Sequence, residues 1–246
     1  MRLQDNSILI TGGSSGIGLE LAEKFIQKGN KVLICGRTRS KLESAKEKVP
    51  KIITFQSDLS TENGRRGLFE WVHQEHPDCN VLINNAALVH RTSFKDDDRM
   101  QEKALLEIQT NLIAPIALSK HFLPLLEQKE NAAIINITSG LAYTPKADYP
   151  IYNATKAGLH SFTKTLRMQL HKQRIRVVEV LMPVVDTPWH EGKVPKMAIS
   201  SEQAVGEMLE GLTKNKDEIR VGKVRLLYWI NRISPKIASK VINRGS

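Results

Sequence analysis

Tyr152 and Lys156 stand four residues apart in Tyr-Asn-Ala-Thr-Lys, a spacing that puts both side chains on one face of a helix. A phenol ordinarily loses its proton near pH ~10, too high for easy exchange at neutral pH. A neighbouring ammonium stabilises the phenolate, so the pair is suited to passing a proton to or from a substrate oxygen. Alone the spacing is common, and it fits a packed ring beside a solvated lysine equally well. Ser139 adds a hydroxyl at the end of one short apolar run, and Asn84, Asn85, Ala86 and Ala87 close another. Asn111 stands in the middle of a long helical stretch, an unfavourable place for asparagine unless its side chain is engaged.

A second group lies near the N-terminus, in Thr-Gly-Gly-Ser-Ser-Gly-Ile-Gly. Gly12, Gly16 and Gly18 let the backbone turn tightly and approach a pyrophosphate, and the helix that follows adds its positive dipole end. The expected cradle comprises Gly12, Ser14, Ser15, Gly16, Ile17 and Gly18. Two dozen residues further on, a dinucleotide site specific for NAD usually carries an acid for the adenosine ribose. Gly36 and Arg37 stand there instead, with no carboxylate. Arg37 offers a planar cation to a 2′-phosphate, and the missing acid removes a repulsion. This favours NADP(H), with NAD(H) as the alternative.

These groups need a frame. Ser7–Thr11, Lys31–Cys35, Ile52–Gln56, Val81–Asn84, Ala133–Ile137 and Val177–Leu181 are short, β-branched and nearly continuous in apolar residues, as strands covered on both faces are. Between them, Ile17, Leu21 and Phe25 repeat at four-residue spacing within Ile17–Gln27, one face of a helix. Arg99–Glu127 and Asn153–Lys172 read as further helices. The alternation predicts an α/β fold: a single-domain, Rossmann-like, doubly wound parallel sheet with helices on both faces. The glycine turn falls between the first strand and first helix, and Ser139 and Asn84 fall at the strand ends where such sheets bind ligands.

With these motifs in this order, the chain resembles the short-chain dehydrogenase/reductase family over essentially its whole length. The resemblance rests on the glycine turn, Asp58-Leu59, Asn84 to Ala87, Asn111, Ser139, Tyr152 with Lys156, and Asp186-Thr187. It implies an oxidoreductase that transfers a hydride between a nicotinamide and a carbonyl or secondary alcohol. It implies a catalytic set of Asn111, Ser139, Tyr152 and Lys156, with Tyr152 as general acid/base, Ser139 holding the substrate oxygen, and Lys156 on the nicotinamide ribose. Asn111 would hold a relay water through a local helix distortion. Asp58 and Leu59 would border the adenine, and Asn85, Ala86 and Ala87 the adenosine side. Pro183, Val185 and Thr187 would face the nicotinamide. Met182-Pro183 replaces the family's usual Pro-Gly, and Ala87 replaces a glycine. A homodimer or homotetramer is implied, paired through the long helices. The alternatives are a non-catalytic redox sensor or scaffold that binds a dinucleotide, and a sugar-nucleotide epimerase.

On the substrate side, Ser139, Leu141, Tyr149 and Trp189 are the expected contacts, with Leu88 and Val89 as apolar wall. The expected lid spans Pro188 to Ser200, with Trp189, His190 and Met197, and His190 reads as a surface histidine. An apolar pocket of this kind suits an alicyclic, acyl or aromatic carbonyl.

The 246 residues hold two cysteines, Cys35 and Cys79, with no CxxC spacing, so we expect no metal site and a reducing, cytoplasmic setting. The polar start, Met1 to Asn6, leaves no room for a signal peptide. Net charge is +10, yet from Lys214 to Ser246 nine basic residues face two acidic ones, so that segment alone carries +7. Aromatics are only 5% of the chain, and no stacking platform or DNA-reading motif supports a nucleic-acid partner. Residues 223–246 read as a basic amphipathic extension. Leu226, Leu227, Trp229, Ile230 and Ile233 give one apolar face, broken by Pro235. The preferred reading is a helix covering the sheet edge or a subunit contact. Contact with a membrane surface is the lesser alternative.

Overall fold

The computed structural model describes residues 2–190, 194–195 and 197–244. The six apolar runs become β1 (Ser7–Thr11), β2 (Lys31–Gly36), β3 (Ile53–Gln56), β4 (Val81–Asn84), β5 (Ala133–Ser139) and β6 (Arg176–Met182). Every residue of β1, β4 and β5 is buried, the reason these strands carry continuous apolar runs. Two short strands, β7 (Val185–Asp186) and β8 (Ile199–Ser200), pair with each other in parallel. A last strand, β9 (Glu218–Arg220), closes the main sheet. Its order is β3-β2-β1-β4-β5-β6-β9, with all pairs parallel.

The helices are α1 (Gly16–Gln27), α2 (Arg39–Lys48), α3 (Glu62–Glu75), α4 (Met100–Ile108), α5 (Ala114–Leu126), α6 (Pro150–Gln169), α7 (Ser201–Thr213), α8 (Val224–Ile233) and α9 (Pro235–Ile242). Alternate strand residues sort them onto two faces. Ile8, Ile10 and Ile34 pack with Leu21 and Phe25 of α1, Leu42 of α2 and Met208 of α7. Leu9, Leu33 and Leu82 pack with Leu68 and Val72 of α3 and Leu118 and Phe122 of α5. The strand order reverses between β1 and β4, so the crevice for a ligand opens at their C-terminal ends.

The stretch expected as one helix over Arg99–Glu127 is split. Gln109–Ile113 forms a π-helical turn between α4 and α5, and Asn111 is its centre. Such insertions are rare and gather at functional sites. Both cysteines are buried, and burial pushes each thiol up to about 12, so neither is a reactive thiolate.

Candidate active site

Ser139 ends β5, and α6 opens beside it with Pro150 in its first turn, where a missing N–H costs nothing. Tyr152 and Lys156 therefore lie one turn apart on the α6 face that meets β5. Lys156 is buried, its Nζ donates to the Ile137 carbonyl at 2.9 Å, and it lies 5.5 Å from the centre of the Tyr152 ring. Ser139 Oγ accepts from the Leu141 N–H at 3.2 Å, and the Ser139 side chain lies near enough to the Tyr152 phenol to favour its charged form. Burial pushes the Tyr152 phenol up to about 12, against the pull of Ser139 and helped by the negative charge of Glu107. In this geometry burial outweighs the Ser139 contact that favours the phenolate. The ammonium donates to Ile137 and sits over the ring, and desolvation of the buried phenol dominates. Burial likewise lowers Lys156 to about 8, with Glu179 opposing.

Glu179 escaped the sequence reading. It is a fully buried carboxylate in the middle of β6. Thr138 Oγ1 donates to it at 2.6 Å, and His160 Nδ1 lies 2.8 and 2.9 Å from its two oxygens. His160 follows Lys156 by one more helical turn, so Tyr152, Lys156 and His160 form a stripe along α6. In register beside Glu179, Asn136 donates to Thr163 at 2.8 Å and accepts from Asn84 at 2.8 Å. The clue was present: a lone acid inside Arg-Val-Val-Glu-Val-Leu-Met must have partners if the strand is central.

Asn111 is wholly buried and fully used. Its Oδ1 accepts from the Leu88 N–H at 2.7 Å, and its Nδ2 donates to the Leu88 carbonyl at 2.7 Å and to Thr155 Oγ1 at 3.3 Å. One side chain thus ties the π turn to the loop after β4 and to α6. Glu107, one turn earlier, is a second buried carboxylate outside the sequence reading. The His90 N–H donates to it at 2.8 Å, and His90 Nδ1 lies at the same distance. Burial raises its pKa.

The glycine turn is built for close backbone approach. Gly12 has φ +64°, and a Cβ there would sit 2.8 Å from Ala86 Cα. A Cβ on Gly18 would sit 2.3 Å from the Gly12 carbonyl oxygen and 2.7 Å from Asn85 Nδ2. Asn85 in turn donates to the carbonyls of Thr11 at 2.9 Å and Gly12 at 3.2 Å, locking the ends of β1 and β4 together. Ser15, the residue before α1, makes no side-chain cap, and the first turn holds no acid. Those N–H groups and that dipole end fit a pyrophosphate. Ser14 Oγ lies beside Gly36, while Ile17 packs against the core. Arg37 is exposed and, among the described residues, pairs with no carboxylate, whereas Arg39 is held by Glu43 at 2.9 Å. Asp58 accepts from the Ser60 N–H at 3.0 Å, and Leu59 is buried. Ala87 lies outside the positive-φ region, so its Cβ is tolerated where the family has glycine. Val185 is buried, and Thr187 Cγ2 approaches Gly16, to 3.1 Å from where its Cβ would be.

Residues 6–198 match the family profile described as short chain dehydrogenase. The chain belongs to the short-chain dehydrogenase family. It is 44% identical over 224 residues, 89% of each chain, to the uncharacterized oxidoreductase DltE of Bacillus subtilis (strain 168). It is 33% identical over 192 residues to an NADP-dependent 3-hydroxy acid dehydrogenase of Schizosaccharomyces pombe (strain 972), covering 76% of this chain and 74% of that one. Its fold matches a short chain dehydrogenase from Burkholderia cenocepacia J2315 in complex with NADP, with TM-score 0.87 at 24% identity over 98% and 99% of the two chains.

The substrate-side residues of this short-chain dehydrogenase divide. Tyr149 and Trp189 come together, ring centres 6.2 Å apart. Leu141 does not join them. It lines a groove of about 1080 Å³ with Ala154, Ala157, Lys240 and Asn243, and none of Tyr149, Tyr152, Lys156 or Trp189 lines that groove. The short helical turn after Ser139, Gly140–Ala142, holds the Leu141 N–H on Ser139 Oγ, so Leu141 lies between that groove and the serine. Residues 191–193 and 196 of the expected lid lie outside the described residues, as does the His190 side chain.

Proposed function

We propose that the protein is an NADP(H)-dependent carbonyl reductase, or a secondary-alcohol dehydrogenase in the reverse direction, with Tyr152 as general acid/base. The observation that carries this reading is the convergence of Ser139, Tyr152 and Lys156 at the sheet edge that also bears the glycine turn. The dinucleotide, when bound, supplies or accepts the hydride. Gly12, Ser14, Ser15, Gly16, Ile17 and Gly18 would hold its pyrophosphate, and Gly36 and Arg37 the 2′-phosphate. Asp58 and Leu59 would take the adenine, Asn85, Ala86 and Ala87 the adjoining ribose, and Pro183, Val185 and Thr187 the nicotinamide end.

Ser139 holds the substrate oxygen and so fixes the carbonyl for attack. Tyr152 gives that oxygen a proton in reduction and takes it back in oxidation. The phenol is protonated at neutral pH, as an ordinary phenol is, and that is the state from which reduction starts. Lys156, an ammonium below about pH 8, stands next in line to return the proton, and Glu179 favours that charged form. Asn111 positions the π turn behind them. Tyr149 and Trp189 supply apolar wall, which suits a carbonyl with an apolar substituent. The unpaired Arg37 favours the phosphorylated dinucleotide, as does the cofactor named for the S. pombe relative. We place the enzyme in the cytoplasm as a homodimer or homotetramer.

A panel of carbonyls and alcohols, read at the nicotinamide absorbance with both dinucleotides, tests the reaction class. Tyr152→Phe should lower turnover by roughly 10²- to 10⁴-fold while NADPH binds as in the wild type. Retained turnover in that variant would overturn the mechanism.

A further inference from the structure

Helix α8 is apolar on two opposite faces. The inner face is anchored: Val224 and Leu227 pack on Gly140, next to Ser139, and Tyr228 stacks on Arg220 with the guanidinium carbon 3.9 Å from the ring centre. In the middle of α9 Ala238 is fully buried, and just past its end Asn243 accepts from the Ala147 N–H at 2.8 Å and donates to the Pro145 carbonyl at 3.2 Å. The outer face carries Leu226, Trp229 and Ile233, followed on α9 by Ile237 and Val241. They are 61, 55, 83, 56 and 42% exposed. The sequence reading put Leu227 on one face with Leu226 and Trp229, but it points the other way, into the fold.

A surface helix in a water-facing position normally turns polar residues outward. Here the outward residues are a tryptophan and aliphatics, with Arg225, Arg232, Lys236 and Lys240 interspersed. None of these four cations pairs with a carboxylate among the described residues, and the sequence has no acid after Glu218. A second copy seated on this face about a two-fold axis would set the four cations against their own images. An anionic lipid surface has the opposite complement: acyl chains for the apolar ridge and phosphates for its basic flank. No helix among the described residues is long and apolar enough to cross a membrane, so contact would be made from one side.

We propose that the outer face of α8 and α9 docks the protein on the surface of an anionic membrane, with Leu226, Trp229, Ile233, Ile237 and Val241 entering the interface. Docking is independent of the reaction assigned above. The full chain is sedimented with vesicles of phosphatidylcholine alone and of phosphatidylcholine mixed with phosphatidylglycerol. Binding is expected to the mixed vesicles only, weakening as salt rises. Trp229 emission should shift to the blue on binding, with Trp229→Phe giving the background from the other tryptophans. Trp229→Glu combined with Ile233→Glu should weaken binding roughly tenfold or more, and Arg225→Glu combined with Lys236→Glu should do the same. Both variants should melt as the wild type does. Equal binding to neutral vesicles, no binding to mixed ones, or undiminished binding by the variants would overturn the proposal. So would a wild-type oligomer that the ridge variants dissociate without any lipid binding, since the occupant would then be a second copy.

Discussion

Charge is handled in opposite ways beneath Lys156 and on the outer face of α8 and α9. Around Tyr152 and Lys156 it is buried and held by named partners: Glu179 by Thr138 and His160, Lys156 by Ile137, and one oxygen of Glu107 by His90. On α8 and α9 four exposed cations form no ion pair among the described residues, although Glu210 feels the charge of Arg225. A buried charge derives its energy from one or two contacts, and losing either partner leaves the other stranded. An exposed charge contributes through a field that is additive, screened by salt and almost irrelevant to folding. The two regions touch through Gly140, one residue beyond Ser139, yet they should answer mutation in opposite ways.

The sharpest test of that contrast is Glu179. Glu179→Ala strands His160 and Thr138 in the interior and should cost about 3–5 kcal/mol of stability, read by denaturant unfolding. Glu179→Gln keeps an acceptor for Thr138 but removes the charge that favours protonated Lys156. Lys156 then falls below about 8, and less of it is ammonium at neutral pH. The alkaline limb of kcat/KM for the dinucleotide should therefore move toward acid, and Glu179→Asp should move it partly back. An unchanged pH profile in Glu179→Gln would show that this carboxylate is structural only.

What was legible in the sequence divides along the same line. The glycine turn, the Tyr152–Lys156 spacing and the six strands are local patterns, each contained in a dozen residues or fewer. Asn111 was legible as an anomaly, an asparagine in mid-helix, although its two bonds to Leu88 were not. Glu179 with His160, and Glu107 with His90, pair residues 19 and 17 apart on different elements. No periodicity encodes such pairs. That Leu141 lines a groove with α9 was not legible, because a short turn leaves no pattern. On α8 the amphipathic repeat was visible, but which apolar residues faced inward depended on Gly140, more than eighty residues earlier in the sequence.

A smaller effect is expected at Arg37, which is exposed like the cations of α8 but is proposed to meet a single phosphate. Arg37→Ala should raise KM for NADPH by roughly 10- to 100-fold, the worth of one or two charge-assisted hydrogen bonds. KM for NADH should stay nearly constant, as should thermal stability. Equal changes for the two dinucleotides would return Arg37 to the class of solvated cations and remove the preference for NADP(H).

The least effect on folding belongs to Ile233, the most exposed residue of the ridge at 83%. Ile233→Ser removes apolar surface that water already covers, so stability should change by no more than about 0.5 kcal/mol. A larger loss in unfolding experiments would mean that Ile233 is covered in solution, by another subunit or by its own chain. A neutral result on stability together with weaker sedimentation on anionic vesicles would separate the two regions fully. Ile233 would then matter only when a lipid surface is present, whereas Glu179 matters whenever the chain is folded.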